Sequence, residues 1–110
     1  MLDAALKERR AANERERQLL LTRVLHLLDE LAPQYGIRRA YIFGSVAMLG
    51  RFGPHSDVDI AVEQIDPARF FEAISKFSFY VKREVDLVEL SKCHFADKIR
   101  REGVRWMQSG

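Results

Sequence analysis

Residues 42–62 read IFGSVAMLGRFGPHSDVDIAV. A short apolar run stops at Gly44 and Ser45, and after eleven further residues Asp57 and Asp59 flank a single valine. Side chains alternate between the two faces of a strand, so both aspartates project from one face and the valine from the other. Two like charges held this close are destabilising unless a cation lies between them or one carboxyl group is protonated. The stretch therefore predicts two strands joined by a turn and a loop, with a pair of carboxylates on the second strand.

A third acid and the Gly-Ser turn extend this site. Asp86 lies inside the apolar run VDLVEL, where a charge is costly unless it has a partner, and a cation shared with Asp57 and Asp59 would supply one. Carboxylate oxygens suit Mg²⁺, which usually takes its remaining ligands from the phosphates of a substrate. Gly44 and Ser45 end a strand and precede a short helical stretch, where backbone N–H groups and a hydroxyl can contact phosphate oxygens. Taken singly, each feature also fits an ordinary turn or a solvated strand; together they predict a site for a metal and a phosphorylated ligand.

The rest of the chain alternates between helical and strand patterns. Apolar residues recur at helical spacing over 19–31, and this pattern stops near Pro33 and Gly36. The predicted core-facing side chains of this helix are Leu20, Val24, Leu27, Leu28 and Leu31. Short β-branched and apolar runs predict strands over 39–43, 57–62 and 85–90. Residues 1–18 are charged and lack an apolar stripe, so we expect a solvated helical extension or a frayed arm ahead of one domain over 19–110.

Two further helices are predicted in the second half of the chain. Asp66 and Pro67 form an N-cap and first-turn pair for a helix over 67–77. The apolar face predicted for this helix comprises Phe70, Phe71, Ile74 and Phe77. Ser91 can cap a final helix that includes Phe95, Ile99, Val104 and Trp106. Helices alternating with strands favour a layered α/β or α+β domain, with helices packed on a small sheet.

Composition narrows the class of protein. A chain of 110 residues with 47% apolar residues suits one folded domain. The net charge of +2 is too small to favour nucleic acid or an acidic membrane as a partner. No apolar run approaches the roughly 20 residues of a membrane span, and the charged N-terminus lacks the apolar core of a signal peptide, so we expect a cytoplasmic protein. Cys93 is the single cysteine, which excludes an internal disulfide.

Three motifs, taken together, resemble the minimal nucleotidyltransferase (MNT) family of the DNA polymerase beta superfamily. They are Gly44-Ser45, Ser56-Asp57-Val58-Asp59-Ile60 and Val85-Asp86-Leu87-Val88. The resemblance runs from about residue 19 to 106 and implies a mixed β-sheet flanked by helices. It also implies a reaction in which a hydroxyl attacks the α-phosphate of a nucleoside triphosphate, with ATP as the expected donor, and pyrophosphate leaves.

The same resemblance assigns roles to individual residues. It implies that Gly44, Ser45 and Ser56 bind nucleotide, and that Asp57 and Asp59 hold two Mg²⁺ ions on the triphosphate. Asp86 would bind the metal that lowers the pKa of the acceptor hydroxyl, or would take the proton itself. One sequence leaves both roles open.

The chain departs from the family pattern between the Gly-Ser pair and the first aspartate. The family usually places ten residues there, whereas this chain has eleven, and Met48 and Leu49 replace a common basic residue. If the loop over 50–55 absorbs the extra residue, Arg51 could supply the positive charge toward the triphosphate. If it does not, an inactive scaffold is the alternative.

The acceptor is not evident in the sequence. Many MNT proteins pair with a HEPN-domain protein as antitoxin and toxin, and transfer AMP from ATP to a tyrosine of the toxin. This resemblance gives the leading hypothesis, a protein adenylyltransferase that acts on a HEPN partner. The alternatives are nucleotidylation of a small molecule such as an aminoglycoside, with a homodimer completing the cleft, and an antitoxin that acts by binding alone.

Overall fold

Helices and strands alternate along the chain, as the sequence predicts. The computed structural model describes residues 2–109. Its main elements are α1 (Leu2–Leu31), β1 (Arg39–Phe43), β2 (Val58–Val62), α2 (Phe70–Val81), β3 (Val85–Glu89), α3 (Ala96–Glu102) and β4 (Val104–Met107). The strands form one sheet in the order β3-β2-β1-β4, in which β2 and β3 are parallel and β1 is antiparallel to both of its neighbours. The predicted fold class, a small mixed sheet flanked by helices, is confirmed.

The sheet has a hydrophobic core on each face. On one face the fully buried side chains of Ile42 and Ile60 belong to a cluster with Leu28 of α1 and Phe77 of α2. A smaller cluster on the other face joins the sheet to α3 and contains Tyr41, Ala61, Leu90 and Ile99. Since Asp59 lies between Val58 and Ile60, strand alternation places its carboxylate on the α3 face. The small cluster on that face leaves room for polar groups at the end of the sheet.

The first helix is longer than the periodic apolar pattern. It ends at Leu31, as predicted, and its stripe of Leu20, Val24, Leu28 and Leu31 is buried. Residues 2–18 continue the same helix, and their side chains from residue 3 onward are mostly exposed. None of the helices in residues 2–109 has an apolar stretch long enough to cross a membrane.

The predicted final helix is wrong in two respects. Ser91 lies in a short 3₁₀ turn, and α3 begins only at Ala96. Val104 and Trp106 lie on β4, where Val104 pairs with Ile42 of β1. Helical spacing could not reveal this strand, because it is stabilised by distant partners: it pairs with β1, and the Trp106 indole N–H donates to Asp29 of α1 at 2.7 Å.

The predicted apolar face of the second helix is wrong at one position. The helix runs four residues further than expected, to Val81, and its buried stripe is Ala73, Phe77 and Val81. Phe71 is 79% exposed and does not belong to the core. Phe70 and Ile74 are partly buried against the core, as predicted.

Candidate active site

The three predicted acids lie on neighbouring parts of the sheet. Asp59 of β2 is in register with Asp86 of β3, and parallel neighbours lie roughly 4.8 Å apart, with their side chains on the same face. Asp57 directly precedes β2 and is exposed, whereas Asp59 is half-buried. Burial raises the pKa of the Asp59 carboxyl, and the negative charges of Asp86 and then Asp57 raise it further. The fold therefore brings the three carboxylates close enough to repel one another.

The Gly44 backbone packs directly against the Asp59 carboxylate. Phe43, the last residue of β1, pairs with Asp59, so the turn that follows it begins beside that side chain. Gly44 has φ +73, in the left-handed region that favours glycine. A Cβ at this position would lie 3.1 Å from the Asp59 Cγ atom and would overlap Oδ2. Only glycine fits here, and the Gly-Ser turn and the acids form one site.

The two predicted serines have different surroundings. Ser45 is half-buried in the 3₁₀ turn Gly44–Ala47 that follows β1, next to the acids. Ser56 lies just before Asp57, and its hydroxyl accepts a hydrogen bond from the Gly53 N–H at 2.9 Å. Ser56 thus closes a turn in the loop that leads to Asp57.

Arg83 holds the same loop from the other side. Its guanidinium donates to the backbone oxygen of Ser56 at 2.7 Å and to that of Pro54 at 3.4 Å. It also lies over the Phe52 ring, 4.8 Å from the centroid. Because Ser56 precedes Asp57, these contacts fix the approach of the chain to the first acid.

Arg17 reaches the Gly-Ser turn from the first helix. One of its terminal nitrogens donates to the backbone oxygen of Val46 at 3.0 Å. The rest of the guanidinium makes a bidentate ion pair with Glu14, at 2.8 and 2.7 Å, and Arg17 holds the pKa of Glu14 down at about 2. Only 12% of the Arg17 side chain is exposed. Sequence reasoning missed both Arg17 and Arg83, because their partners lie 27 to 29 residues away.

Arg51 lies in the loop beyond the turn and lines a cavity of about 490 Å³. Gly44 lines the same cavity, so Arg51 adjoins the Gly-Ser turn. The opposite wall comes from α3 and includes Lys98. A larger groove, of about 1020 Å³, lies at the other end of β1 and includes Arg39 and Glu63, away from the three acids.

The donor set suits a hard cation that also binds phosphate. Within residues 2–109 no three histidine, cysteine or acidic side chains are placed to hold one metal ion by themselves. Mg²⁺ typically takes one or two carboxylates and completes its shell with water and phosphate oxygens. Burial and then the negative charges of Asp86 and Asp57 raise the pKa of Asp59, and a bound cation would relieve the repulsion among these charges. Asp57, Asp59 and Asp86 therefore fit Mg²⁺ in company with a phosphorylated ligand.

Comparison with known proteins identifies the family. The family model described as polymerase beta, nucleotidyltransferase, matches residues 26–108. The chain belongs to the polymerase beta nucleotidyltransferase family. This match spans β1 to β4 and all three acids, so the family predicted from the motifs is confirmed. A search of curated proteins found no significant match.

Solved structures of toxin–antitoxin complexes share the nucleotidyltransferase fold. The MntA-HepT complex matches at 24% identity with a TM-score of 0.55, over 84% of this chain and 73% of that chain. A toxin–antitoxin structure with AMP-PNP matches at 26% identity and a TM-score of 0.54, over 66% and 62%. A tri-AMPylated HEPN toxin of Shewanella oneidensis in complex with MNT antitoxin matches at 23% identity and a TM-score of 0.56, over 84% and 73%.

Proposed function

We propose that this nucleotidyltransferase transfers AMP from ATP to a hydroxyl of a HEPN-domain protein and so acts as the antitoxin of a toxin–antitoxin pair. One observation supports this reaction more strongly than any other observation does. The Gly44 backbone lies against the Asp59 carboxylate, and Asp86 is in register beside Asp59. A turn able to bind phosphate and a set of carboxylates able to bind Mg²⁺ therefore meet at one end of the sheet. A structural turn alone would not need a glycine packed on a half-buried carboxylate.

Each residue has a proposed role. Asp57, Asp59 and Asp86 would hold Mg²⁺ beside the triphosphate, and the Gly44-Ser45 turn would contact the phosphate oxygens. Mg²⁺, when bound, neutralises charge on the phosphates and on the departing pyrophosphate. Arg17 and Arg83 position the turn and the loop through hydrogen bonds to backbone oxygens.

The transfer is a displacement at the α-phosphorus of ATP. The acceptor hydroxyl oxygen forms a bond to this phosphorus, while the bond to the oxygen bridging the α- and β-phosphates breaks and pyrophosphate leaves with that electron pair. Asp86 is exposed, so its carboxylate can accept the hydroxyl proton and pass it to water. The products are an AMP ester of the acceptor and pyrophosphate.

The choice of donor and acceptor is supported by the structural relatives. One solved relative contains AMP-PNP, and another contains an AMPylated HEPN toxin with its MNT antitoxin. Asp57 and Asp86 are exposed, so the end of the sheet that carries them is open to a second molecule. We infer that a partner protein presents its hydroxyl to the acids across this open end.

The test is transfer of label from nucleoside triphosphates to the partner. The protein is incubated with Mg²⁺, a HEPN-domain protein encoded beside it, and each α-labelled nucleoside triphosphate in turn. We expect label from ATP on a tyrosine of the HEPN protein, and loss of more than about 99% of this transfer in Asp57→Ala or Asp59→Asn. Asp97→Asn is the matched control, because this acid on α3 is 92% exposed. Absence of label with the unaltered protein, or full activity in the Asp59 variant, would exclude the proposed reaction.

A further inference from the structure

A groove of about 1020 Å³ lies at the end of the sheet opposite the three acids. Its lining includes Arg38 and Arg39 at the start of β1, Arg100 of α3 and Met107 at the end of β4. These residues come from separate elements that meet beside α3. The groove therefore brings positive side chains together where β1 and β4 lie next to each other.

Only part of this positive charge is neutralised within the groove. Arg100 makes a bidentate ion pair with Glu63, at 3.0 and 2.8 Å, and Glu63 is the acid that lines the groove. Arg38 and Arg39 are exposed, and neither makes a side-chain hydrogen bond or an ion pair within the part of the chain that the structure describes. Two of the three arginines that line the groove are therefore available to an acidic ligand.

The strand β4 extends this positive surface along the edge of the sheet. Arg105 pairs with Tyr41, so the two side chains lie on the same face, and Tyr41 belongs to the cluster on the α3 side. Arg105 is exposed and has no side-chain partner among residues 2–109. Met107 pairs with Arg39 on that face and is 47% exposed. The α3 face of β4 thus presents a cation and an apolar side chain to solvent.

One side of the β4 backbone has no strand beside it. The Gln108 N–H donates to the Arg38 backbone oxygen at 2.9 Å, so it points toward β1. Because backbone groups alternate in direction along a strand, the N–H and C=O groups of Arg105 and Met107 point away from β1. In the described part of the chain the sheet order ends at β4, so no strand pairs with these groups. This edge can accept an added strand.

The chemistry of this region favours an acidic peptide segment over nucleic acid. Single-stranded nucleic acid typically stacks its bases on exposed aromatic rings within a basic groove. The aromatic residue that lines this groove is Tyr41, which is 4% exposed and donates its hydroxyl to Glu63 at 3.2 Å. Its ring offers no free face for stacking. The outward backbone groups of β4 instead supply the directional hydrogen bonds that an extended peptide needs, and the arginines supply the complementary charge.

We propose that an extended acidic segment of a partner protein adds to the free edge of β4. The backbone of this segment pairs with the outward N–H and C=O groups of Arg105 and Met107. Alternate side chains of an added strand share a face, so acidic residues at every second position contact Arg105 and reach Arg39 beyond Met107. The inference does not depend on the proposed function, because the three acids and the nucleotide take no part in it.

The experiment uses a short peptide with acidic residues at every second position. The probe is Thr-Glu-Val-Glu-Val-Glu-Thr with blocked ends, and the matched control peptide has glutamine in place of each glutamate. NMR of the isotopically labelled protein measures both the affinity and the hydrogen exchange of each amide. We expect a saturating glutamate peptide to slow exchange about tenfold at the amides of Arg105 and Met107. The glutamine peptide should bind about fivefold more weakly, because it lacks the charge.

Substitutions separate the contribution of charge from that of the backbone. Arg39→Gln and Arg105→Gln should each bind the glutamate peptide about fivefold more weakly, as loss of an exposed ion pair implies. Met107→Pro removes an outward N–H without changing the charge, and proline is tolerated on edge strands, so this variant should bind both peptides about fivefold more weakly. Arg9→Gln removes the same charge from the exposed start of α1 and should leave both affinities unchanged.

The possible outcomes either support this assignment or overturn it. Slower exchange at the two β4 amides, together with weaker binding by the arginine variants, supports it. Absence of binding, equal affinity for the two peptides, or binding without slower exchange at Arg105 and Met107 would overturn it. Tighter binding of an oligouridylate than of the glutamate peptide would reject the peptide as occupant in favour of nucleic acid. Label transfer from ATP tests the proposed function separately from all of these measurements.

Discussion

Gly44→Ala adds one methyl group, and no other single methyl group added to this loop should disturb the site as much. Alanine in the left-handed conformation that Gly44 adopts, at φ +73, costs about 1–2 kcal/mol. The new Cβ would also lie 3.1 Å from the Asp59 Cγ atom and overlap Oδ2, so the carboxylate must rotate away from its rotamer at a cost of about 1 kcal/mol. The free energy of unfolding should therefore fall by about 2–3 kcal/mol. Because a displacement of about 1 Å at a reacting group can cost 100-fold in rate, label transfer should fall by about that factor.

Gly50 provides a matched control for this substitution. It has φ +83, but nothing lies within 4 Å of a Cβ at that position, so Gly50→Ala should cost only the backbone strain of about 1–2 kcal/mol and leave the transfer rate near that of the unaltered protein. Urea unfolding of both variants gives the two free energies. In an Asp59→Ala background the nearest atom left is Cβ, at 3.4 Å, so Gly44→Ala should then cost no more than Gly50→Ala. Equal destabilisation by the two substitutions in the unaltered background would refute the contact with Asp59.

Two further predictions concern the side chains that hold the turn and the loop. Arg83→Ala removes the hydrogen bonds to Ser56 and Pro54, so we expect a loss of about 1–2 kcal/mol in urea unfolding. Hydrogen exchange should also become faster at the Ser56 amide, which donates to the Gly53 backbone oxygen at 3.1 Å. Arg83→Lys should restore only part of both, and exchange as slow as in the unaltered protein would contradict this. The hydrogen bonds from Arg17 lower the pKa of Glu14 from its usual 4.5 to about 2, so the contribution of this ion pair to stability is present above about pH 4.5 and is lost as the pH falls toward 2. The stability difference between the unaltered protein and Glu14→Gln should shrink over that interval, and a difference independent of pH would argue against the ion pair.

The sequence predicts the elements that local patterns define better than those that depend on contacts with distant residues. The bounds of β1 agree with the prediction at both ends, because a compact apolar run and a glycine define them locally. The strand β4 was missed because Val104 and Trp106 continue the spacing of Phe95 and Ile99 well enough to suggest a helix. What determines its structure is pairing with β1 and a hydrogen bond from Trp106 to a residue 77 positions earlier. Non-local partners of this kind leave no periodic pattern.

The residues of the candidate site also divide into those that the sequence predicts and those whose positions depend on distant contacts. Spacing alone predicts that Asp57 and Asp59 share a face, whereas Asp86 was grouped with them because a charge inside an apolar run needs a partner and because of the family resemblance. The contact between Gly44 and Asp59 depends on the register of β1 with β2, which the sequence does not specify. The position of Lys98 in the cavity beside Gly44 could not be predicted, because it depends on the packing of α3 on the sheet. Motif reading finds the residues of the turn and the strands, whereas the fold supplies those that surround them.

The hydrogen bond from Arg17 to Val46 couples the behaviour of α1 to that of the Gly-Ser turn. Helices open most readily at their ends, and Arg17 lies roughly four turns from the start of α1. Opening of only the first turns of α1 would therefore leave the hydrogen bond from Arg17 to Val46 intact. If the opening extended to the turn that contains Arg17, the backbone oxygen of Val46 would lose this donor. A partner protein that binds the exposed half of α1 would favour the helical form of that half, in which Arg17 donates to the Val46 backbone oxygen. Binding of another protein to the charged start of the chain would thereby change the rigidity of the candidate active site.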